Sequence, residues 1–377
     1  MNFDFSEEQF AFRDSVRQYL DDRWSVAQLR THLTGDGFDR ELWEGVSALG
    51  ILAMMVPEEH GGLGLGYVDL ALILEECGRH LVPGPAVDTI IATDIISRHG
   101  TPEQQAALLP AIAEGGLKIA AAVAEIEGGF RPEDTTTIAR PSGNGWALSG
   151  RKILVPYAES VDQLLVVARF GDDGPLGLVL VDPDWAGITR RHHQLLDPAS
   201  RAHEVTFSEV ELGGDHVLGG QPLETAVARL VDAGAASASL QMTGAAGKVL
   251  DLAVEYTGNR VQFGKPIGSF QAIKHRCADM LVLLETSRTA AYHAAWALAH
   301  DPAARRKLVS MAKAYCGDAA RSICNEGLQL HGGIGFTWEL DIHFYLRRAK
   351  TLEYSYGDAS AHRECVMAAT LAEMEAA

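Results

Sequence analysis

The sequence lacks a run of consecutive apolar residues long enough to span a bilayer, for which about 18 to 20 are needed. We therefore expect no membrane-spanning segment and no membrane partner, although 47% of the 377 residues are hydrophobic. The first residues, MNFDFSEEQFAFRDSV, contain early acidic side chains and no apolar stretch, so we expect no secretory signal there.

Paired cysteines and basic residues are also scarce. The five cysteines are odd in number and form no C-x-x-C pair, which argues against a disulfide framework or a zinc site. They favour buried thiols in a reducing compartment, so we expect a cytoplasmic protein with no metal. The net charge of −18 disfavours nucleic acid or an anionic membrane as a partner.

Three regions with different residue patterns follow one another along the chain. In residues 1–117 helical patterns alternate with short turns, and one helix is expected from about Tyr67 to Arg79. Residues 118–222 contain short β-rich runs such as QLLVVARF and LGLVLVD, separated by Gly, Pro and Asp. Residues 223–377 return to long helical patterns. This order predicts an α+β multidomain chain with an N-terminal all-α domain, a middle β domain and a C-terminal helical bundle.

Small residues are concentrated in three stretches. GGLGLG (61–66) and HGGIGF (331–336) do not follow a strand in a βαβ unit, so they predict turns and not a dinucleotide-binding fingerprint. The run VDAGAASASLQMTGAAG lies in a predicted helix, where small side chains permit the close approach of another helix.

The stretch RVQFGKPIGSFQ (260–271) contains candidate binding residues. Arg260, Lys265 and Gln271 surround a Gly/Pro loop between two predicted helices. Because a guanidinium group presents a planar fork of donors, the loop is a candidate clamp for a phosphate ester. The residue types alone leave a solvated interhelix loop open as the alternative.

Three separated motifs, VPEEHGGLGLGYVDLALILEECGR, RVQFGKPIGSFQAIKHRCADM and LQLHGGIGFTWELDIHFYLRRAK, resemble the acyl-CoA dehydrogenase family. The order of the domains is similar too, so the resemblance covers essentially the whole chain. It implies an N-terminal helical domain, a middle β-barrel domain and a C-terminal four-helix bundle. It also implies an FAD cofactor, an acyl-CoA thioester substrate oxidised at a CH–CH bond in lipid β-oxidation, and a tetramer arranged as a dimer of dimers.

The resemblance implies that one subunit contacts the cofactor of another. In the family, the adenosine and diphosphate end of FAD is held by the C-terminal domain of a neighbouring subunit. Transferred to this sequence, that contact would use six residues, all of which are present: Arg260, Phe263, Gln271, Gln329, Gly332 and Gly333.

The catalytic base of the family has no counterpart at its usual position. Relatives remove the proton α to the thioester carbonyl with the Glu of an E-G-T triplet, seven residues before an Arg, while a hydride passes to the flavin. Here Arg363 and Gly357 match, but Tyr356 replaces the Glu and Asp358 replaces the Thr. A phenol with a pKa of roughly 10 is neutral at pH 7 and is a poor base. The second position used by relatives falls on Gly234.

Asp358 is the nearest carboxylate that could replace the missing Glu. Its position is shifted by two residues, which points a side chain to a different face of a helix or turn. Glu353 as the base, or a helix-capping role for Asp358, remains open as an alternative.

The positions that would meet this chain's own flavin ring have also changed. The family has T-E-P-x-x-G-S-D followed later by W-[IV]-[TS], and the matching stretches here are AEIEGGFR (124–131) and LVP (154–156). Ala124, Phe130 and Pro156 replace residues with hydroxyl groups, and Pro156 also lacks a backbone N–H. The sequence therefore offers none of the expected donors to a flavin ring.

The residues that would hold a neighbour's FAD are thus kept, whereas those for the chain's own flavin and base are lost. This resembles the heteromeric acyl-CoA dehydrogenases of actinobacteria, in which two different subunits form an α₂β₂ tetramer with two flavins, some for bulky steroid side-chain thioesters. We therefore predict a non-catalytic partner subunit that completes the FAD site of a homologous subunit. The alternatives are a homotetrameric enzyme with a relocated base such as Asp358, and a flavin-free structural or binding protein.

Overall fold

The computed structural model describes residues 5–33 and 37–376, so the ends of the first and last predicted domains lie outside the described residues. The chain divides into two compact units. The helical unit contains the residues up to Leu29, the stretch Tyr67–Val82 and the chain from Ala235 onwards. The sheet unit contains Arg30–Gly66 and Pro83–Gly234.

The first part of the chain is helical, as expected. Helix α1 begins after Ser6, whose hydroxyl accepts from the Gln9 amide at 3.2 Å, while the Gln9 side chain accepts from the Ser6 amide at 2.7 Å. This reciprocal capping satisfies two backbone donors that a helix end otherwise leaves unpaired. The helix at 67–79 has the predicted bounds. The helices are α1 (Glu7–Arg23), α2 (Val26–His32), α3 (Arg40–Ala48), α4 (Tyr67–Arg79), α5 (Ala86–His99) and α6 (Pro102–Ala113).

The strands of the sheet unit form one seven-stranded sheet within the described residues. They are β1 (Ile119–Ala122), β2 (Ile138–Ser142), β3 (Gly145–Pro156), β4 (Gln163–Phe170), β5 (Leu176–Val181), β6 (Ile188–His193) and β7 (Ala202–Leu212). Their order is β1-β4-β2-β3-β7-β6, and β5 pairs antiparallel with β4. The β3–β7 register shifts between Lys152 and Val155, near the end of β3. Alternate strand residues such as Val166, Val205 and Phe207 form the core.

The chain after the sheet is helical apart from a short hairpin. Its elements are α7 (Glu224–Asn259), β8 (Val261–Gln262), β9 (Lys265–Pro266), α8 (Gln271–His300), α9 (Arg305–Leu330), α10 (Ile342–Tyr354) and α11 (Ala359–Ala376). The order helices, strands, helices is the one predicted, while the domain bounds at 117/118 and 222/223 stay predictions. None of the described helices is long and apolar enough to cross a membrane.

In the helical unit, α4 and α7 approach each other at two glycines. A Cβ added to Gly78 would lie 1.9 Å from the carbonyl oxygen of Gln241, and a Cβ added to Gly244 would lie 1.8 Å from that of Glu75. Only a hydrogen atom fits at these positions, so the two backbones are in direct contact. The small-residue run of α7 therefore permits close helix packing, as the sequence predicted.

Candidate functional site

Arg260 begins the hairpin β8–β9 that follows α7. The two-residue turn consists of Phe263 and Gly264, with φ angles of 53° and 77°. Positive φ at both positions is typical of the tight hairpin turn whose twist matches its strands. The amide of Ile267 donates to the carbonyl of Arg260 at 2.8 Å and closes the hairpin. The Phe263 side chain is 91% exposed, which is unusual for an aromatic ring in a folded chain.

The stretch QLHGG forms the end of α9 and the turn that follows it. Gln329 is exposed in the last turn of the helix, and Gly332 has a φ of 63°. A Cβ on Gly335 would lie 2.5 Å from the carbonyl oxygen of Leu328, so this tight turn requires glycine. In contrast, a Cβ on Gly332 or Gly333 would meet no atom within 4 Å. These two glycines thus leave open space beside the backbone.

A pair of stacked rings brings the hairpin and the QLHGG stretch together. Tyr256, in the last turn of α7, stacks on His331 with ring centroids 4.5 Å apart. The Tyr256 carbonyl accepts from the Arg260 amide at 2.8 Å, and His331 directly precedes Gly332. Nδ1 of the buried His331 donates to the carbonyl of Gly327 at 2.7 Å, which fixes the ring. Sequence reasoning missed this contact, because no local pattern marks Tyr256 as the partner of a distant histidine.

We call the six predicted FAD-contact residues the tail surface. All are exposed except Gly332, which is half-buried. Among the described residues, none forms an ion pair with the Arg260 guanidinium, although the chain carries a net charge of −18. A guanidinium fork and two carboxamides are suitable donors for a diphosphate and a ribose, and the two glycines let a ligand approach the backbone. These residue types suit the adenosine and diphosphate end of FAD, and the contact itself stays a prediction. The tail surface consists of Arg260, Phe263, Gln271, Gln329, Gly332 and Gly333.

The segment 353–358, which we call the base turn, contains Tyr356, the residue that the sequence predicted at the position of a catalytic Glu. Helix α10 ends at Tyr354 and α11 begins at Ala359. Between them, the half-buried Tyr356 has a φ of 58° and Gly357 has a φ of 104°. A positive φ is uncommon for a residue with a bulky side chain, so the surrounding structure must hold this turn.

Two buried basic side chains hold the base turn from the interior. Nζ of Lys313 donates to the carbonyls of Glu353 and Gly357, both at 2.8 Å. Nε2 of His362 donates to the carbonyl of Tyr356 at 3.0 Å. Three carbonyls of one short turn therefore have buried donors. The sequence offered no signal for these contacts, because the donors lie on α9 and α11.

Burial shifts the pKa of both donors. It lowers the pKa of Lys313 to about 8. Burial, followed by the charge of Lys313, lowers the pKa of His362 to about 4. At pH 7 the lysine is therefore mostly charged and the histidine is neutral.

The carboxylates near the base turn are engaged in structural contacts. Oδ1 of Asp358 accepts from the backbone N–H three residues later at 2.9 Å, which makes Asp358 the cap of α11. Glu353 is 4% exposed and contacts both Arg321 and Lys350, the latter at 3.0 Å. Gly234, which the sequence predicted as the second position for a base, has no side chain to offer.

In the sheet unit, the loop 124–131 and the segment 154–156 lie side by side, and we call them the ring face. The amide of Ile153 donates to the carbonyl of Ala124 at 2.8 Å and joins the two segments. Within the loop, Glu125 and Gly129 exchange two backbone hydrogen bonds of 2.9 Å. The loop is therefore a closed short hairpin attached to β3.

Four side chains of the ring face, Ala124, Ile126, Leu154 and Pro156, do not fit the polar edge of a flavin ring. Ala124 is buried and offers a methyl group, and the half-buried Pro156 has neither a hydroxyl nor an N–H. Ile126 is 55% exposed and Leu154 is 37% exposed. The oxygen and nitrogen acceptors of an isoalloxazine ring would stay unpaired against such side chains, which is unfavourable once water is excluded.

A buried ion pair lies next to the ring face. Nζ of Lys152 is 2.7 Å from Oε1 of Glu125 and 3.1 Å from the carbonyl of Val123. The Glu125 carboxylate also accepts from the amides of Thr136 and Thr137 at 2.7 and 3.0 Å. Burial raises the pKa of Glu125, but Lys152 and these hydrogen bonds outweigh it and lower the pKa to about 2. Burial lowers the pKa of Lys152 to about 8. Residue 152 lies on the buried side of β3. The alternation of inward and outward residues along a strand was therefore the sequence signal that could have identified Lys152 as buried.

Comparison with known proteins identifies the family. The profile described as the N-terminal domain of acyl-CoA dehydrogenase matches residues 6–116, and that of the C-terminal domain matches residues 224–371. Acyl-CoA dehydrogenase IpdE2 of Mycolicibacterium smegmatis is 30% identical over 91% of this chain and 93% of its own length. The chain belongs to the acyl-CoA dehydrogenase family. Acyl-CoA dehydrogenase FadE34 of Mycobacterium tuberculosis is 33% identical over 82% of this chain, which spans only 39% of that protein.

Solved structures of the family confirm the predicted fold. The steroid ACAD Tcur3481–Tcur3483 is 31% identical with a TM-score of 0.89, over 98% of this chain and 99% of that one. The ChsE4–ChsE5 complex from Mycobacterium tuberculosis is 25% identical with a TM-score of 0.89, over 97% of both chains. The acyl-CoA dehydrogenase fold consists of an N-terminal helical domain, a middle β domain and a C-terminal helical domain, as the sequence predicted.

Proposed function

We propose that this acyl-CoA dehydrogenase family chain is the partner subunit that completes the FAD site of a homologous subunit in an α₂β₂ heterotetramer. In this assignment the homologous subunit holds the flavin ring and removes the substrate proton. The observation that carries the proposal is a contrast between sites. The tail surface has all six residues predicted for the distal end of FAD, whereas both carboxylates of the base turn are engaged and positions 124 and 156 of the ring face have no side-chain donor.

The exposure and charge of the tail surface support a contact with another chain's cofactor. Arg260 can form two charge-assisted hydrogen bonds to a diphosphate, and these are stronger than bonds between neutral groups. Phe263 offers a flat apolar surface beside it, with 91% of its area available. Bound FAD would supply the hydride acceptor for the oxidation, and Arg260 with the other residues of the tail surface would hold its diphosphate end.

The base turn supports the assignment of proton removal to the other subunit. Tyr356 is a phenol whose ordinary pKa of about 10 leaves it neutral at pH 7. A general base must be ionised and free to reach its proton. Asp358 instead caps α11, and Glu353 is buried against two basic side chains.

The relatives support a heteromeric complex with a bulky substrate. Two of the solved structures that cover nearly the whole chain are a steroid ACAD with two named components and a complex of ChsE4 with ChsE5. We propose an acyl-CoA with a bulky, steroid-derived side chain as the substrate class and a homologous acyl-CoA dehydrogenase subunit as the partner. The five cysteines are free thiols, and the cytoplasmic location stays a prediction.

The proposal is tested by purifying the chain alone and after co-expression with a homologue encoded by an adjacent gene. We expect a colourless protein alone and a yellow complex with one FAD for each pair of different subunits. In the complex, Arg260→Ala should weaken FAD retention by roughly tenfold or more, because a charge-assisted hydrogen bond is lost. The matched control is Arg23→Ala, which removes an exposed arginine of the same unit outside the tail surface.

The other outcomes contradict the proposal in different ways. A lone chain with one FAD per polypeptide would indicate a homotetrameric enzyme with a relocated base. A protein that stays colourless alone and in the complex would indicate a flavin-free binding or structural role. Equal loss of FAD from the Arg260 and Arg23 variants would show that the tail surface has no special role.

A further inference from the structure

We propose that the ring face is a flavin bed whose backbone support is retained and whose side-chain donors at positions 124 and 156 are missing. Ala124 and Pro156 are then the residues that determine cofactor specificity, because they exclude a flavin ring from this chain. The inference rests on the proposed function and deepens it: it gives a physical reason why a tetramer with this subunit would hold fewer flavins than chains.

The support of the ring face is more elaborate than an unused loop requires. The Glu125–Lys152 pair is nearly inaccessible to solvent, with side-chain exposures of 5% and 0%. A buried ion pair is stable only when hydrogen bonds satisfy its remaining groups, and here the Thr136 and Thr137 amides and the Val123 carbonyl do so. The pair joins the loop 124–131 to β3 directly beside Ala124.

The backbone of β3 also keeps an unusual local conformation at the ring face. Leu154 has a φ of 53°, and the β3–β7 register shifts between Lys152 and Val155. Such strain persists only where the surrounding structure imposes it, and it is concentrated at ligand sites. Ile126 and Leu154 are 55% and 37% exposed, so two apolar side chains of the face stay accessible.

Two substitutions would return donors to this face. Ala124→Thr adds a hydroxyl group, and Pro156→Ser adds a hydroxyl group and a backbone N–H. Leaving a buried acceptor without a donor weakens binding by roughly 5- to 150-fold for each missing hydrogen bond. The double variant A124T/P156S should therefore bind a flavin ring at least about tenfold more tightly than the unchanged chain.

The test uses the full chain and riboflavin, which has the flavin ring but no diphosphate and so does not depend on the tail surface. Binding is followed by quenching of riboflavin fluorescence. The matched control is A124V/P156A, because valine has the shape of threonine and neither new side chain carries a hydroxyl group. We expect A124T/P156S to bind at least about tenfold more tightly than both the control and the unchanged chain.

Equal riboflavin affinities for A124T/P156S and A124V/P156A would overturn the inference. If threonine at the buried position 124 prevents folding, Pro156→Ser alone is compared with Pro156→Ala, and equal affinities of these two again overturn it. A different result would contradict the proposed function: the unchanged chain, purified alone, would retain one FAD per polypeptide. A lone chain without FAD whose variants gain no affinity contradicts only the present inference.

Discussion

Acidification should destabilise the folded chain through His362, because this imidazole is buried in its neutral form. The side chain is 2% exposed, and its Nε2 donates to the carbonyl of Tyr356. Its Nδ1 accepts from the hydroxyl of Ser310 at 3.1 Å, so a second proton would remove that acceptor. It would also place a positive charge near Lys313. Burial and the charge of Lys313 together lower the pKa of His362 from 6.5 to about 4.

The direction of the effect follows from the pH at which the unfolded and the folded chain each bind the proton at His362. Below pH 6.5 the unfolded chain binds a proton at His362, whereas the folded chain does so only near pH 4. The contribution of His362 to the free energy of unfolding is therefore complete above about pH 6.5 and decreases as the pH falls toward 4. The difference in pKa corresponds to about 3 kcal/mol by pH 4 and about 2 kcal/mol at pH 5. Lys313, with a pKa of about 8, stays charged throughout this window.

The prediction is measured by urea unfolding of the unchanged chain and of His362→Gln at about pH 7.5 and about pH 5. Glutamine retains a donor for the Tyr356 carbonyl but does not titrate. The unchanged chain should lose about 2 kcal/mol more than the variant between these two conditions. His203, whose pKa burial also lowers, is present in both proteins, so its effect cancels. His275→Gln, on the exposed side of α8, controls for the loss of an imidazole. Equal losses in the unchanged chain and H362Q would refute the reasoning.

Three further predictions, tested with four substitutions, concern the helix packing and the base turn. Gly244→Val should lower the free energy of unfolding by about 3 kcal/mol or more, since its Cβ would lie 1.8 Å from the Glu75 carbonyl oxygen, and an unchanged Tm would contradict the close contact of α4 and α7. Asp358→Ala should lower stability by about 1 kcal/mol in urea unfolding, while Asp358→Asn keeps the cap of α11, and equal effects would argue against capping. Tyr356→Phe and Asp358→Asn should each leave turnover of the assembled complex within about twofold. Loss of turnover with Asp358→Asn alone would place the base in this chain.

Local sequence patterns were sufficient for most of the fold. The bounds of α4 and the change from helices to strands and back followed from the periodicity and composition of the sequence. These features depend on interactions within a few residues, so one stretch of sequence contains their cause. The glycine contact between α4 and α7 was predicted only in kind, because the small-residue run permits close packing without naming the partner helix.

The sequence predicted the residues of the tail surface but not how they are arranged in space. The residue types of Arg260 and Gln271 indicated a phosphate clamp, and the family resemblance added the remaining members, whose role toward FAD stays a prediction. The stacking of Tyr256 on His331, which brings the hairpin to the end of α9, could not be predicted. Those two rings are 75 residues apart in sequence, and only the packing of α7 against α9 makes them neighbours.

The sequence by itself determined which chemical groups are missing. Tyr356 and Gly234 have no carboxylate, and Ala124 and Pro156 have no hydroxyl group, whatever the arrangement of the backbone.

Only the tertiary structure decided what surrounds those positions. It places Lys313 and His362 against the carbonyls of the base turn, and it buries Glu125 with Lys152 next to the ring face. The physical reason is that a buried charge or imidazole needs hydrogen-bond partners, and here these partners come from separate segments that only folding brings within bonding distance.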